Sequence, residues 1–201
     1  KAAEAKRLES IKFLRDLLDQ GDTTGPRKAE MMLRLADLYF EQGRSIYLRE
    51  MAAYDVEYEK CFNTDGCNYE NMEPDNAKSS NWQEKSIRLY NLILRNYPRY
   101  QRADEATFYL GMALQDLGRT LEAVKRFTAL VKTYPDSSFV PDAFVNIGEY
   151  YFDTNNAYKA LLAYKKATNF RESPKYSFAL YKLAWCYYNV GEYGKGIEKM
   201  K

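Results

Sequence analysis

The 201-residue sequence contains no histidine. That removes imidazole acid-base chemistry, Ser-His and Cys-His nucleophile pairs, and the commonest transition-metal ligand. Cysteine is scarce, at three residues, and no cluster has the spacing of a metal site. No uninterrupted apolar run approaches the roughly 18 to 20 residues of a membrane span. Charge of one sign is also missing: the net charge is +2, with acids and bases mixed along the chain, which argues against a nucleic-acid footprint. No Gly-rich phosphate loop or nucleophile elbow occurs, and no carboxylate pair stands out from the surface pattern. These absences predict a chain without catalytic machinery or cofactor. The first residues, KAAEAKRLES, lack an initiator Met and a signal-peptide core, and the last, GEYGKGIEKMK, stop inside a pattern. The expectation is a piece of a longer polypeptide.

What is present is repetition. An apolar residue followed by a small one occurs at Leu35-Ala36, Leu110-Gly111, Ile147-Gly148 and Leu183-Ala184, the last three small residues being 37 and 36 apart. Seven residues after each small residue comes Gly43, Gly118, Asn155 or Gly191, types that tolerate the left-handed conformation closing a helix. Between these marks apolar residues recur at three and four, as in Phe144, Ile147, Gly148 and Tyr151, the period of an amphipathic helix. A second such run follows each mark, with Ala123, Phe127 and Leu130 in one copy and Ala160, Tyr164 and Ala167 in the next. Each unit reads as helix, turn, helix, ended by a proline such as Pro135. The small residue lets the paired helices approach closely.

The expected organisation is an N-terminal helix over 1–20, a first repeat over 28–60, an irregular loop over 61–80, a lone second helix over 82–98, and repeats over 103–135, 140–172 and 176–201. The broad apolar face of the first helix, with Leu8, Ile11, Phe13, Leu14, Leu17 and Leu18, would cap the stack or let the chain self-associate through its ends. Ala36 and Gly111 lie 75 residues apart, two periods, yet CFNTDGCNYENMEPDNAKSSN occupies the place of one helix and is too rich in Asn, Asp, Ser and Gly to be one. Within it Cys61 and Cys67 are expected to form a local disulfide, since two thiols in a polar loop are better tolerated oxidised, and this implies an oxidising compartment. Cys186, between Trp185 and Tyr187, reads as a packed small hydrophobe. Residues 51–80 carry seven acids and two lysines, a solvated acidic segment beside the basic helix that follows. Asp55, Glu57, Asp65 and Asp75 match no calcium-loop spacing.

The Leu-Gly, Tyr, Ala, Phe, Pro order of ADEATFYLGMALQDLGRTLEAVKRFTALVKTYP, residues 103 to 135, resembles the tetratricopeptide repeat, here two to three residues longer than its 34-residue unit. The resemblance is loose over 29–201 and close over 103–201. The phrasing YP-x-S-x-x-x-x-A resembles periplasmic members of bacterial envelopes, such as the Tol-Pal division coordinator and the lipoprotein of the β-barrel assembly machinery. The resemblance implies an all-α solenoid, a right-handed superhelix of antiparallel helix pairs whose concave face binds a peptide or helix. By the family's groove positions, that face would be lined by Glu105, Phe108, Met112, Gln115 and Asp116, by Asp142, Val145, Glu149, Phe152 and Asp153, and by Phe178, Tyr181, Trp185, Tyr188 and Asn189. The Lys and Asn that clamp a terminal carboxylate in some members are replaced by Phe108 and Met112, Val145 and Glu149, and Tyr181 and Trp185. The expected function is a scaffold of a periplasmic, cell-envelope machine, with protein partners and no nucleic acid. The alternative is a helical accessory domain of a cell-wall enzyme whose catalytic domain lies elsewhere. Phe108 and Phe152 are expected to be exposed on the groove. Tyr181, Trp185 and Tyr188 read equally as groove anchors or as packing for a following repeat.

Overall fold

A computed structural model describes residues 2–21 and 24–200. Among the described residues all regular structure is helical: α1 (Ala2–Asp19), α2 (Gly25–Phe62), α3 (Ala77–Asn96), α4 (Ala103–Asp116), α5 (Thr120–Thr133), α6 (Val140–Asp153), α7 (Ala157–Ala167), α8 (Tyr176–Asn189) and α9 (Tyr193–Met200). The chain divides into two compact units, residues 1–100 and 101–201.

In the second unit the helices form three successive pairs, α4 with α5, α6 with α7 and α8 with α9. The turns inside the pairs are made alike. Gly118, Asn155 and Gly191 have φ of 71°, 56° and 81°, and the next residue's N–H reaches back five residues: Arg119 to the Leu114 carbonyl at 2.9 Å, Asn156 to Tyr151 at 2.7 Å, Glu192 to Tyr187 at 2.8 Å. The left-handed residue turns the chain so that an orphaned helix-end carbonyl is satisfied. Asn156 then caps α7, accepting from the Lys159 N–H at 3.2 Å. Between pairs, Tyr134-Pro135 follows the last turn of α5, and Pro141 lies in the first turn of α6, where its missing N–H costs nothing. Ser137 fastens this joint to α4 by donating to Asp104 Oδ2 at 2.6 Å.

Each pair closes around the small residue. A Cβ on Gly111 would lie 2.6 Å from the Phe127 ring, and one on Gly148 would lie 2.6 Å from the Tyr164 ring. Phe127 and Tyr164 are almost fully buried. The glycine is what allows an aromatic of the second helix to lie flat against the backbone of the first.

The first unit departs from the expected repeat. Gly43 does not end a helix: α2 runs on through it for 38 residues, and a Cβ there would lie 3.0 Å from the Gln83 side chain. This glycine serves close approach of α3, and only its lack of a side chain is used. The helix-turn-helix expected over 28–60 is therefore one long helix, and the second helix expected to stand alone is partnered, because α2 and α3 pair with each other as a single enlarged unit. The loop is shorter than the expected 61–80. It spans 63–76, with a 3-10 turn at Tyr69–Asn71, and Ala77 to Asn81 belong to α3. Tyr90 holds the place in α3 that Phe127 and Tyr164 hold in the later pairs; it is fully buried and donates to Asp37 Oδ1 at 2.8 Å. Of the apolar residues in α1, Ile11 is buried and Leu14 and Leu18 are half-buried against Leu35, Leu38 and Tyr39, while Leu8 and Phe13 are exposed. Glu4 and Arg7 secure the helix end through Arg49 and Gln42.

Beyond Gly43 only Cys61 of α2 is buried, so the helix extension depends on the loop for cover. Cys61 and Cys67 are joined by a disulfide with their Cα atoms 5.4 Å apart. Tyr54 donates to the Met72 carbonyl at 3.1 Å, and the Tyr69 ring packs edge-on against Phe62 and Tyr58 at 5.0 and 5.9 Å. Closing so short a ring contributes about 2 kcal/mol in the chain-entropy model. Replacing both cysteines with serine is expected to lower the urea stability of the first unit by about that amount, with faster amide exchange at Thr64 and Cys67. Unchanged exchange at both amides would mean that the loop is held by its aromatic contacts alone.

Candidate protein-interaction surface

Along one side of the second unit the first helices of the last two pairs meet, α6 touching α8. Lys182 of α8 bridges them. Its ammonium lies 2.9 Å from Glu149 Oε1 and 4.0 Å from the centre of the Phe152 ring, a cation held by a carboxylate and an aromatic face together. Glu149 also accepts from the Tyr164 hydroxyl. Burial, and then this carboxylate, push the Tyr164 hydroxyl far above the ordinary phenol range. Glu149 is thus a strut between helices that keeps 30% of its side chain exposed. The internal copies explain it: where the second helix carries Tyr90 or Tyr164, the residue after the small one is Asp37 or Glu149, and where it carries Phe127, that residue is Met112. A buried hydroxyl is matched by an acceptor, and a bare ring by a thioether.

Several expected groove residues are taken up by the neighbouring helices. Phe108 is buried, stacked on Phe139 at 4.7 Å and tilted against Phe127 at 5.8 Å, because the joint before α6 folds back over it. Val145 is buried against Ala167 and Ala179. Phe152 is half-buried beneath Lys182, against the cluster that includes Leu183 and Tyr187. Glu105 is half-buried and forms a two-pronged ion pair with Arg102 at 2.7 and 2.8 Å. Met112 and Gln115 are half-buried, and Asp116 and Asp153 are exposed. Asp142 is half-buried, and desolvation raises its carboxyl pKa, outweighing the opposing pull of Lys175.

The α8 positions differ. Tyr181, Trp185 and Tyr188 are 53%, 39% and 57% exposed, although they occupy the places of Phe108, Met112 and Gln115. Phe178 on the same helix and Tyr193 and Ile197 on α9 extend the exposed surface. Tyr181, Trp185, Tyr188 and Tyr193 touch in series, edge to face, with ring centres 6.4, 5.9 and 5.2 Å apart. Tyr193, Ile197 and Lys182 were not among the residues expected on this surface. The signal for Tyr193 was its position two residues beyond the left-handed Gly191, which sets it beside the last turn of α8. Behind this surface Cys186 is a free, fully buried thiol, pushed up to about 11 by burial. Among the described residues no His, Cys, Asp and Glu cluster could hold a metal ion, and no helix is long and apolar enough to cross a membrane.

Tandem helix pairs closed by left-handed turns, with aromatics seated on glycines, define a helical-repeat protein of the solenoid class. The tetratricopeptide repeat matches at residues 105–137 and again at 141–174, so the second unit carries two tetratricopeptide repeats. No curated protein sequence matches it. Among solved structures the fold is similar to MamA protein, at 14% identity over 100% of this chain and 82% of that one, with a TM-score of 0.64. It is also similar to BtubC from P. vanneervenii (16% identity, 98% and 86% covered, TM-score 0.54) and to kinesin light chain TPR-like repeats from Podosopora anserina (12% identity, 98% and 84% covered, TM-score 0.55). Tetratricopeptide repeats are protein-interaction scaffolds, generally without catalytic activity.

Proposed function

We propose that this chain is a non-catalytic scaffold module of a bacterial cell-envelope machine, one serving division, outer-membrane biogenesis or surface motility, and that it holds a peptide or helical segment of another protein on the aromatic surface of α8. The observation that carries the reading is the run of Tyr181, Trp185, Tyr188 and Tyr193, exposed and in mutual contact. Large aromatics offer area with few rotors to freeze, and their hydroxyl and indole groups keep a polar handle for a partner's backbone. The Cys61–Cys67 disulfide supports a periplasmic setting, since such bonds persist in oxidising compartments.

The test is capture from a bacterial envelope extract by the immobilised chain, comparing the wild type with Tyr181→Ala/Trp185→Ala. Both side chains are largely outside the core, so the helical circular dichroism should be unchanged. Recovery of specific partners is expected to fall by at least about tenfold, the scale of losing one interface hot spot. If both proteins recover the same partners equally, the α8 surface is not the binding site.

A further inference from the structure

Where the end of α4, the first turns of α5 and the second half of α6 meet, the surface opens into a recess of about 90 Å³. Its walls include Val124, Phe127 and Tyr150, and its polar groups include Gln115, Glu149 and Asp153. Gln115 Oε1 is buried there with no hydrogen-bond partner. A buried acceptor left without a donor is costly, which marks this oxygen as one that a ligand would satisfy. Two carboxylates, Glu149 and Asp153, line the same recess. The cation beside them, Lys182, is committed to Glu149 Oε1 and the Phe152 ring. The recess thus combines apolar walls, an unsatisfied acceptor and a surplus of negative charge.

We propose that this recess is a subsite for the end of a lysine or arginine side chain of the bound partner. The aliphatic stem lies along Val124, Phe127 and Tyr150, and the cationic head donates to Gln115 Oε1 and Asp153. This matches how long cationic side chains are accommodated, with the stem on apolar surface and the charge among acceptors. It rests on the protein-binding reading above and adds a charge requirement that the α8 aromatics do not supply.

The test needs no partner. The isotope-labelled full chain is titrated with N-acetyl-lysine methylamide and, separately, with the norleucine analogue, which keeps the stem and lacks the ammonium. The lysine probe is expected to shift the Gln115 side-chain amide and the Asp153 and Thr154 backbone amides. The norleucine probe should not, and Asp153→Asn should weaken the lysine response roughly fivefold. Equal responses to the two probes, silence at these signals up to the solubility limit, or an unaltered response in Asp153→Asn would each overturn the subsite. Because the titration is independent of capture by α8, either proposal can fail while the other stands.

Discussion

Tyr164→Ala is expected to destabilise the 101–201 unit by about 3–5 kcal/mol, the range for truncating a fully buried aromatic. The ring fills the space that Gly148 leaves open, and its cluster includes Ala160, Leu183, Cys186 and Tyr187, so two helix pairs lose contact at once. The hydroxyl carries a smaller part. Tyr164→Phe keeps the volume and removes one donor from Glu149, which retains Lys182 at 2.9 Å; its cost is expected near 1–2 kcal/mol. A further Glu149→Met change should deepen the loss, because it also strips the mostly buried Lys182 of its carboxylate. The measurement is urea unfolding followed by circular dichroism. A Tyr164→Phe loss as large as that of Tyr164→Ala would show that the hydroxyl, not the packing, holds this joint.

Gly111→Val is expected to cost about 3 kcal/mol, the upper part of the range for overfilling a packed core. The new Cβ would start 2.6 Å from the Phe127 ring. That ring is itself buried and confined by Phe108 at 5.8 Å, so it has nowhere to move. Gly194, in α9, has nothing within 4 Å of its added Cβ, and Gly194→Ala should stabilise its helix by up to about 1 kcal/mol. Shortening the opposing ring tests the mechanism: in Gly111→Val/Phe127→Leu the two changes should couple favourably, by about 1–3 kcal/mol. Strict additivity would mean that valine is harmful for its helix propensity and not for its contact with Phe127.

Much of the second unit is legible in its sequence. The residues that end helices there act on their own backbone: Gly118, Asn155 and Gly191 take left-handed φ values. The pairing of Cys61 with Cys67 was also legible, because the two cysteines stand only six positions apart across a mostly polar segment, which brings the sulfurs together without help from the rest of the fold. The candidate binding surface was legible only in part. Tyr181, Trp185 and Tyr188 were picked out and are exposed, but Phe108 was expected outside and lies inside under Phe139.

The periodic small residues, the closing turns and the helix faces follow from local chemistry, and the linear order of residues specifies them alone. Two matters waited for the packed helices. A glycine has two uses, a permitted left-handed φ and a missing Cβ, and both look the same in a sequence. At Gly118 the first is used. At Gly43 the second is, because Gln83 of α3 lies against it, and one long helix replaces a pair. The exposure of an aromatic likewise depends on whether another element covers it. Phe108 and Tyr181 occupy the same place on their helices, and the segment carrying Phe139 lies over the first while the second remains open to solvent.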